Sequence, residues 1–255
     1  MQRSHAGAGA DAAQERMASA GLKAMIPFRR PFLDYILSAL ADAGFDDVCL
    51  VIGPGHELVR DYYKRTNPPT RVRVSFAVQL EARGTADALL SAESFADRDQ
   101  FVALNADNYY PVEVFRGLAA LDGPGLPVFK RSSLIELSNV DADRVRSYAV
   151  LQIAPDGRLL NVSEKPDAET FSVYGDDPFI SMNCWRFGAS IFAACRRITP
   201  SARGELELPE AVRYAVTVMS ERMQTFPIEA GVLDLSHRSD IAEVERRLAR
   251  IEARP

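Results

Sequence analysis

The sequence predicts an α/β protein with a mostly parallel, mixed sheet covered by helices. Two observations carry this. In the first half, short apolar or alternating stretches are separated by amphipathic helical stretches, the pattern of strands joined by helical crossovers. Two of those strands stop at polar turns, Gly53-Pro54-Gly55 and Asp107-Asn108. A carboxylate at the carboxyl end of a buried strand is where open α/β sheets keep their ligands.

The elements follow in order. Residues 1–21 are rich in Ala and Gly and carry no strand pattern; they read as a flexible head with a helical turn or more around 11–20. A helix is expected over 31–43, because Phe32, Leu33, Ile36, Leu37 and Leu40 share one face, Pro31 suits the first turn and Gly44 the stop. Residues 48–52 form a buried strand and 56–64 a helix. Val72, Val74, Phe76 and Val78 alternate along a strand over 71–78. A helix over 85–95 has Thr85 in a capping position. A buried strand over 101–105 and a helix over 111–121 complete the first half. The second half changes character: a hairpin with arms 148–154 and 159–163 turns at Pro155-Asp156-Gly157-Arg158. A strand over 179–187, a helix over 209–219, a strand over 224–228 and a charged helix over 239–252 follow. The whole reads as a Rossmann-like sheet with flanking helices, residues 22–255 being one domain and 1–21 its head.

Composition narrows the function. Of 255 residues, 47% are apolar and 25% charged, ordinary for a soluble globular chain. A net charge of −5 gives no sign of a nucleic-acid or membrane surface. The chain lacks an 18-residue apolar run, so no membrane span is expected, and its head has no apolar signal core. Cys49, Cys184 and Cys195 lie among apolar neighbours without CxxC spacing, which points to reduced thiols and a cytoplasmic protein.

Five stretches hold the chemistry. Lys23 precedes the apolar turn Ala24-Met25-Ile26-Pro27-Phe28; alone, it would be a solvated lysine. Gln79 and Gly84 stand at a strand-to-helix junction, where free N–H groups favour polar ligands. Asp107 ends the strand Phe101-Val102-Ala103-Leu104-Asn105. Glu164-Lys165-Pro166 follows the hairpin; alone, it is an exposed turn. Asp234 lies in Val232-Leu233-Asp234-Leu235-Ser236-His237, where His237 reads as a surface or capping residue.

In this order and spacing, the five stretches resemble the motifs of the sugar nucleotidyltransferases (nucleotide-sugar pyrophosphorylases), especially the glucose-1-phosphate uridylyl- and thymidylyltransferases. Five positions depart from the family pattern: Leu22 stands where proline is usual, Ala106 and Ala149 where glycine is usual, and Ser236-His237 where Gly-Thr is usual. The resemblance implies transfer of a nucleoside monophosphate from a nucleoside triphosphate to a sugar 1-phosphate, giving a nucleotide-sugar and pyrophosphate. It implies Lys23 and Asp107 as catalytic residues, and Gln79 and Gly84 against the nucleotide base. It further implies Glu164 and Lys165 on the sugar 1-phosphate, and Asp107 and Asp234 on Mg²⁺. Partners other than these small molecules are not indicated, and self-association is left open.

The family chain opens with an apolar strand and a Gly-rich loop that cradles the triphosphate. Neither precedes Lys23, and Gly7-Ala8-Gly9 follows no apolar run. Met1-Gln2-Arg3 resembles the segment just after that loop, so the expectation is a GT-A-like nucleotidyltransferase fold lacking its first strand, with 1–21 a remnant of the loop region and the family's start upstream. Loss of a central strand leaves unpaired backbone groups and an open slot in the core. Two other readings follow: a non-catalytic module of the same fold that binds nucleotide or sugar phosphate, and, less well supported because Asp107 is followed by Asn108 and Tyr109, a related glycosyltransferase.

Overall fold

A computed structural model describes residues 11–97 and 99–255. The chain order is α1 (Ala12–Ser19), α2 (Phe32–Asp42), β1 (Asp47–Ile52), α3 (Glu57–Asp61), β2 (Arg73–Val78), α4 (Thr85–Ser91), α5 (Glu93–Ala96), β3 (Phe101–Leu104), β4 (Asn108–Tyr109) and α6 (Val112–Ala119). It continues with β5 (Gly125–Lys130), α7 (Arg131–Leu137), α8 (Ala142–Val145), β6 (Val150–Ile153), β7 (Leu159–Ser163), α9 (Ala168–Val173), β8 (Phe179–Ile180) and β9 (Cys184–Phe187). Last come α10 (Ser190–Cys195), α11 (Leu208–Thr217), β10 (Gln224–Ile228), β11 (Leu233–Asp234) and α12 (Ile241–Leu248).

The sheet is mixed, with more antiparallel pairing than the strand–helix alternation suggested. β1 and β2 pair in parallel, as do β5 and β10. A seven-stranded sheet runs β3-β9-β5-β8-β6-β7 with β10 on β5, and its other ladders are antiparallel. Its two faces bury separate clusters. One joins Phe32, Ile36 and Leu37 of α2, Val114 and Phe115 of α6, and Val244 and Leu248 of α12. The other joins Ala86 of α4, Phe192 of α10 and Val212 of α11 around Trp185. Period-2 alternation sorts the strands between them: Cys184 faces the first cluster and Trp185 the second, Val150 the first and Leu151 the second.

Three predicted elements are broken by local chemistry. The helix expected over 56–64 is α3 followed by a π turn over Tyr62–Thr66. The helix expected over 85–95 stops at Ala92 and restarts as α5. The strand expected over 179–187 is β8 and β9, separated by Ser181-Met182-Asn183, where Asn183 takes the left-handed conformation (φ 56°) that Asn tolerates better than most residues. Of the head, residues 12–19 are helical: Asp11 forms a capping box with Gln14, and Gln14 Nε2 donates to Pro27 O at 3.0 Å. The readings placed on Met1-Gln2-Arg3 and Gly7-Ala8-Gly9 lie outside the described residues.

The parallel pair and the seven-stranded sheet are separate. Among the described residues, no strand is hydrogen-bonded to the second edge of β1 or the free edge of β3. Both strands read in the sequence as fully buried, yet Val48 through Val51 and all of β3 are half-exposed. That partial exposure sets both strands apart from β5, which is buried from Gly125 to Phe129. It has a chemical consequence at the cysteines. Burial pushes all three thiols up, Cys195 to about 12, but Cys184 and Cys195 are buried and Cys49 is only half-buried. A thiol reagent applied to the native chain is therefore expected to modify Cys49 alone, with the other two reacting on unfolding; peptide mass mapping checks this.

Candidate active site

The shortest strand pair assembles the acidic side. β4 and β11 pair antiparallel with Asp234 opposite Asn108, and Leu235 N donates to Asp107 O at 2.9 Å. Two carboxylates far apart in sequence thereby become neighbours. Lys23 sits on the 3₁₀ turn Lys23–Met25; its Nζ donates to Ser236 O at 2.7 Å and lies 3.8 Å from Asp107 Oδ2. Burial pushes the Asp107 carboxyl up and the Asp234 charge adds to this, while Lys23 opposes it.

Asp234 is held from all sides. Its backbone N and O are both taken by the Asn139 amide, at 2.7 and 2.8 Å. Its Oδ1 accepts from Ser236 N at 2.8 Å and from Ser236 Oγ, and is ion-paired with Arg144, Nη2 to Oδ1 at 2.8 Å. Its Oδ2 accepts from Tyr148 Oη at 2.6 Å. Burial and the Asp234 charge push the Tyr148 hydroxyl up, so it stays a neutral donor. Arg144 also forks onto Asp240 at 2.7 and 3.1 Å. Sequence reading missed Arg144, Tyr148 as an Asp234 partner, and Asp240.

At the strand-to-helix junction, Gln79 follows β2 directly. Its Nε2 donates to Gly84 O at 3.0 Å and to Asp87 Oδ2 at 2.9 Å. Both partners only accept, which fixes the amide orientation and leaves Oε1 facing away from them. Burial pushes the Asp87 carboxyl up, but the bonds from Gln79 and Arg83 outweigh it and hold it below the usual range. Gly84 has φ +107° and lies under Leu206, whose N donates to Arg83 O at 2.7 Å and whose O accepts from Ala86 N at 2.8 Å. The segment before α11 is therefore a strap over the glycine turn. Thr85 does not cap α4: its Oγ1 accepts from Leu208 N at 2.8 Å, tying α4 to α11.

The Glu164-Lys165 turn is placed by register. Val150 pairs with Ser163, which sets Tyr148-Ala149 beside Glu164-Lys165. Burial pushes the Glu164 carboxyl up; Lys165 and Arg203 oppose this, and Glu207 and Glu210 add to it. The charges of Arg203, Glu207 and Glu210 thus act on the Glu164-Lys165 turn from the strap segment and α11, while Tyr148, just before β6, bonds to Asp234. Lys165 itself adopts φ 44°. Ala149 is buried, and its carbonyl accepts from Ser181 N at 2.9 Å. Asn183, two residues on, has a buried Oδ1 with no partner, an acceptor of the kind that a ligand hydroxyl satisfies.

A lysine turn beside the carboxylates of a short strand pair, an amide-and-glycine turn after a parallel strand, and a Glu-Lys turn after a hairpin are thus set on three separate sheets of one α/β chain. Residues 19–250 match the sequence model of the nucleotidyl transferase family, and the chain belongs to that family. The bifunctional protein GlmU of Methanococcus maripaludis is 26% identical over 195 residues, 76% of this chain but 42% of that protein, so the chain spans less than half of that relative. UTP–glucose-1-phosphate uridylyltransferase AglF of Haloferax volcanii is 26% identical over 225 residues, 86% of this chain and 84% of that one. A solved UDP-glucose pyrophosphorylase, complexed with UDP-glucose, superposes with a TM-score of 0.75 over 96% of this chain and 97% of that one; at 16% identity the likeness is one of fold.

Proposed function

We propose that this chain is an enzyme that transfers a nucleoside monophosphate from a nucleoside triphosphate to a sugar 1-phosphate, with residues 22–255 acting as one nucleotidyltransferase domain. The observation that carries the reading is the convergence of Lys23, Asp107 and Asp234 from three distant segments, linked through Tyr148 to the Glu164-Lys165 turn. An oxygen of the sugar phosphate bonds to the α-phosphorus as the bond from that phosphorus to the pyrophosphate oxygen breaks. Pyrophosphate leaves with the electron pair, and no protein nucleophile is needed. Every reactant is an anion, so positioning and charge neutralisation are the work required of the protein.

Lys23 and Lys165 offset phosphate charge as mobile ammonium groups. Gln79 offers its Oε1 and Gly84 its backbone N–H to the base edge. Glu164 accepts from sugar hydroxyls. Among the described residues no three His, Cys, Asp or Glu side chains converge on one point, but the Asp107 carboxylate accepts no side-chain hydrogen bond. That fits Mg²⁺, which takes one or two carboxylates together with substrate phosphates. When bound, the ion would supply Lewis-acid neutralisation of the phosphate oxygens. Asp234, the second carboxylate of the pair, already accepts from three donors and is ion-paired with Arg144. None of the helices among the described residues is long and apolar enough to cross a membrane. Three free cysteines support a reducing compartment, the cytoplasm.

A matrix of nucleoside triphosphates and sugar 1-phosphates with Mg²⁺, read by pyrophosphate release, tests the reading. Release that needs both substrates is expected; tight nucleotide binding with no release from any pair would favour the binding module instead. Glu164 adds a trade-off. Its carboxyl is held above the ordinary value of 4.5, so the folded chain binds that proton more tightly than the unfolded chain. The associated stability is full below the ordinary value and is lost as pH rises through the raised one. Glu164→Gln is thus expected to raise the melting temperature near neutral pH but not below about pH 4. The same variant should raise the KM for sugar 1-phosphate by roughly tenfold.

A further inference from the structure

The two carboxylates at the centre of the site are not equivalent. Asp234 is 4% exposed at its side chain, accepts from Tyr148 and Ser236, and is ion-paired with the Arg144 guanidinium at 2.8 Å. An ionised carboxylate offers about four lone-pair sites; three donors use them here and the Arg144 guanidinium stands against the same oxygen as Ser236. Arg144 is itself only 15% exposed and cannot swing away, because both of its terminal nitrogens are tied to Asp240. A guanidinium stays charged at any ordinary pH. Asp107 is 31% exposed and, among the described residues, accepts from no side chain and is ion-paired with Lys23 alone, 3.8 Å away.

We propose that Arg144 is the resident cation of this site: it neutralises Asp234 permanently and leaves Asp107 as the single protein carboxylate open to a divalent ion. A pair of free carboxylates would attract a divalent cation to the empty protein. With Arg144 and Lys23 facing Asp107, Asp234 and Asp240, that attraction is largely cancelled, and the ion arrives with the phosphates of the nucleotide, which complete its ligand set. Arg144 is a positioning residue, since it acts through Asp234. The inference rests on the nucleotidyl-transfer reading for the role of the ion, not for the asymmetry between the carboxylates.

Mn²⁺ titration followed by electron paramagnetic resonance tests it on the full chain. The wild-type protein without nucleotide should bind Mn²⁺ weakly. Arg144→Gln should tighten that binding by at least about tenfold, and Arg144→Lys, which keeps the charge, should stay near wild type. In the presence of a nucleoside triphosphate, Asp107→Asn should weaken Mn²⁺ binding by about tenfold or more, and Asp234→Asn should leave it within about twofold. Equal losses from Asp107→Asn and Asp234→Asn would overturn the proposal, as would a folded Arg144→Gln chain with unchanged Mn²⁺ affinity. If Arg144→Gln does not fold, the two aspartate variants decide the matter. If no nucleotide binds, the nucleotidyl-transfer reading fails, and the nucleotide-free comparison of Arg144→Gln with Arg144→Lys still decides this one.

Discussion

Gly84→Ala is expected to lower the melting temperature by roughly 10 °C and to abolish tight nucleoside triphosphate binding in the same variant. Two costs add. Gly84 has φ +107°, where an alanine is strained by about 1–3 kcal/mol. An added Cβ would also lie 2.5 Å from Leu206 O and 2.7 Å from Leu206 N, backbone atoms that no rotamer change can move. Leu206 is hydrogen-bonded to Arg83 and Ala86, so the strap and the start of α4 must separate. Overpacking of this kind costs a further 1–3 kcal/mol or so. Separation also frees Gln79, whose orientation depends on Gly84 O. Gly55→Ala is the control: φ is +87° but the Cβ meets nothing within 4 Å, so only strain remains and nucleotide binding persists. Thermal unfolding and calorimetric titration of both variants check this.

Lys23→Met and Asp107→Asn should each reduce kcat/KM by about 10² to 10³, the usual loss when a preorganised charge is removed from a transition state that develops charge. Their stabilities should separate them. Asp107 is pushed up by burial and by Asp234, so its charge is disfavoured in the folded chain, and Asp107→Asn relieves that burden at neutral pH. Lys23→Met removes the cation that partly offsets it and the hydrogen bond to Ser236 O, and should destabilise. An inactive but more stable Asp107→Asn beside an inactive and less stable Lys23→Met is the expected pair, read by steady-state kinetics and thermal unfolding.

Much of this was legible where the signal is local. The face of α2, the apolar run of β3 and the turn at Asp107 are set by spacing within a few residues. β5 was missed, although it lies at the centre of the sheet, with Leu126, Val128 and Phe129 fully buried. Gly123-Pro124 precede it and Gly125 and Pro127 lie within it, residue types that weaken a strand signal. The structure accommodates Pro127 because β9 pairs with β5 at Gly125 and β8 at Phe129 and Lys130. The chain between β8 and β9 leaves the ladder opposite the residue that has no N–H to give. Arg144 carried no signal because its partners, Asp234 and Asp240, lie 90 residues or more along the chain and meet it only through the fold. The resemblance named both aspartates of the pair, but not the guanidinium that makes them unequal.

The most direct test of the account is product analysis by mass spectrometry of the full chain incubated with a nucleoside triphosphate, a sugar 1-phosphate and Mg²⁺. The account predicts a nucleotide-sugar and pyrophosphate in equal amounts, formed only when both substrates are present and lost in Lys23→Met. Nucleoside monophosphate or inorganic phosphate as the product, or bound nucleotide with no nucleotide-sugar from any sugar 1-phosphate, would contradict it.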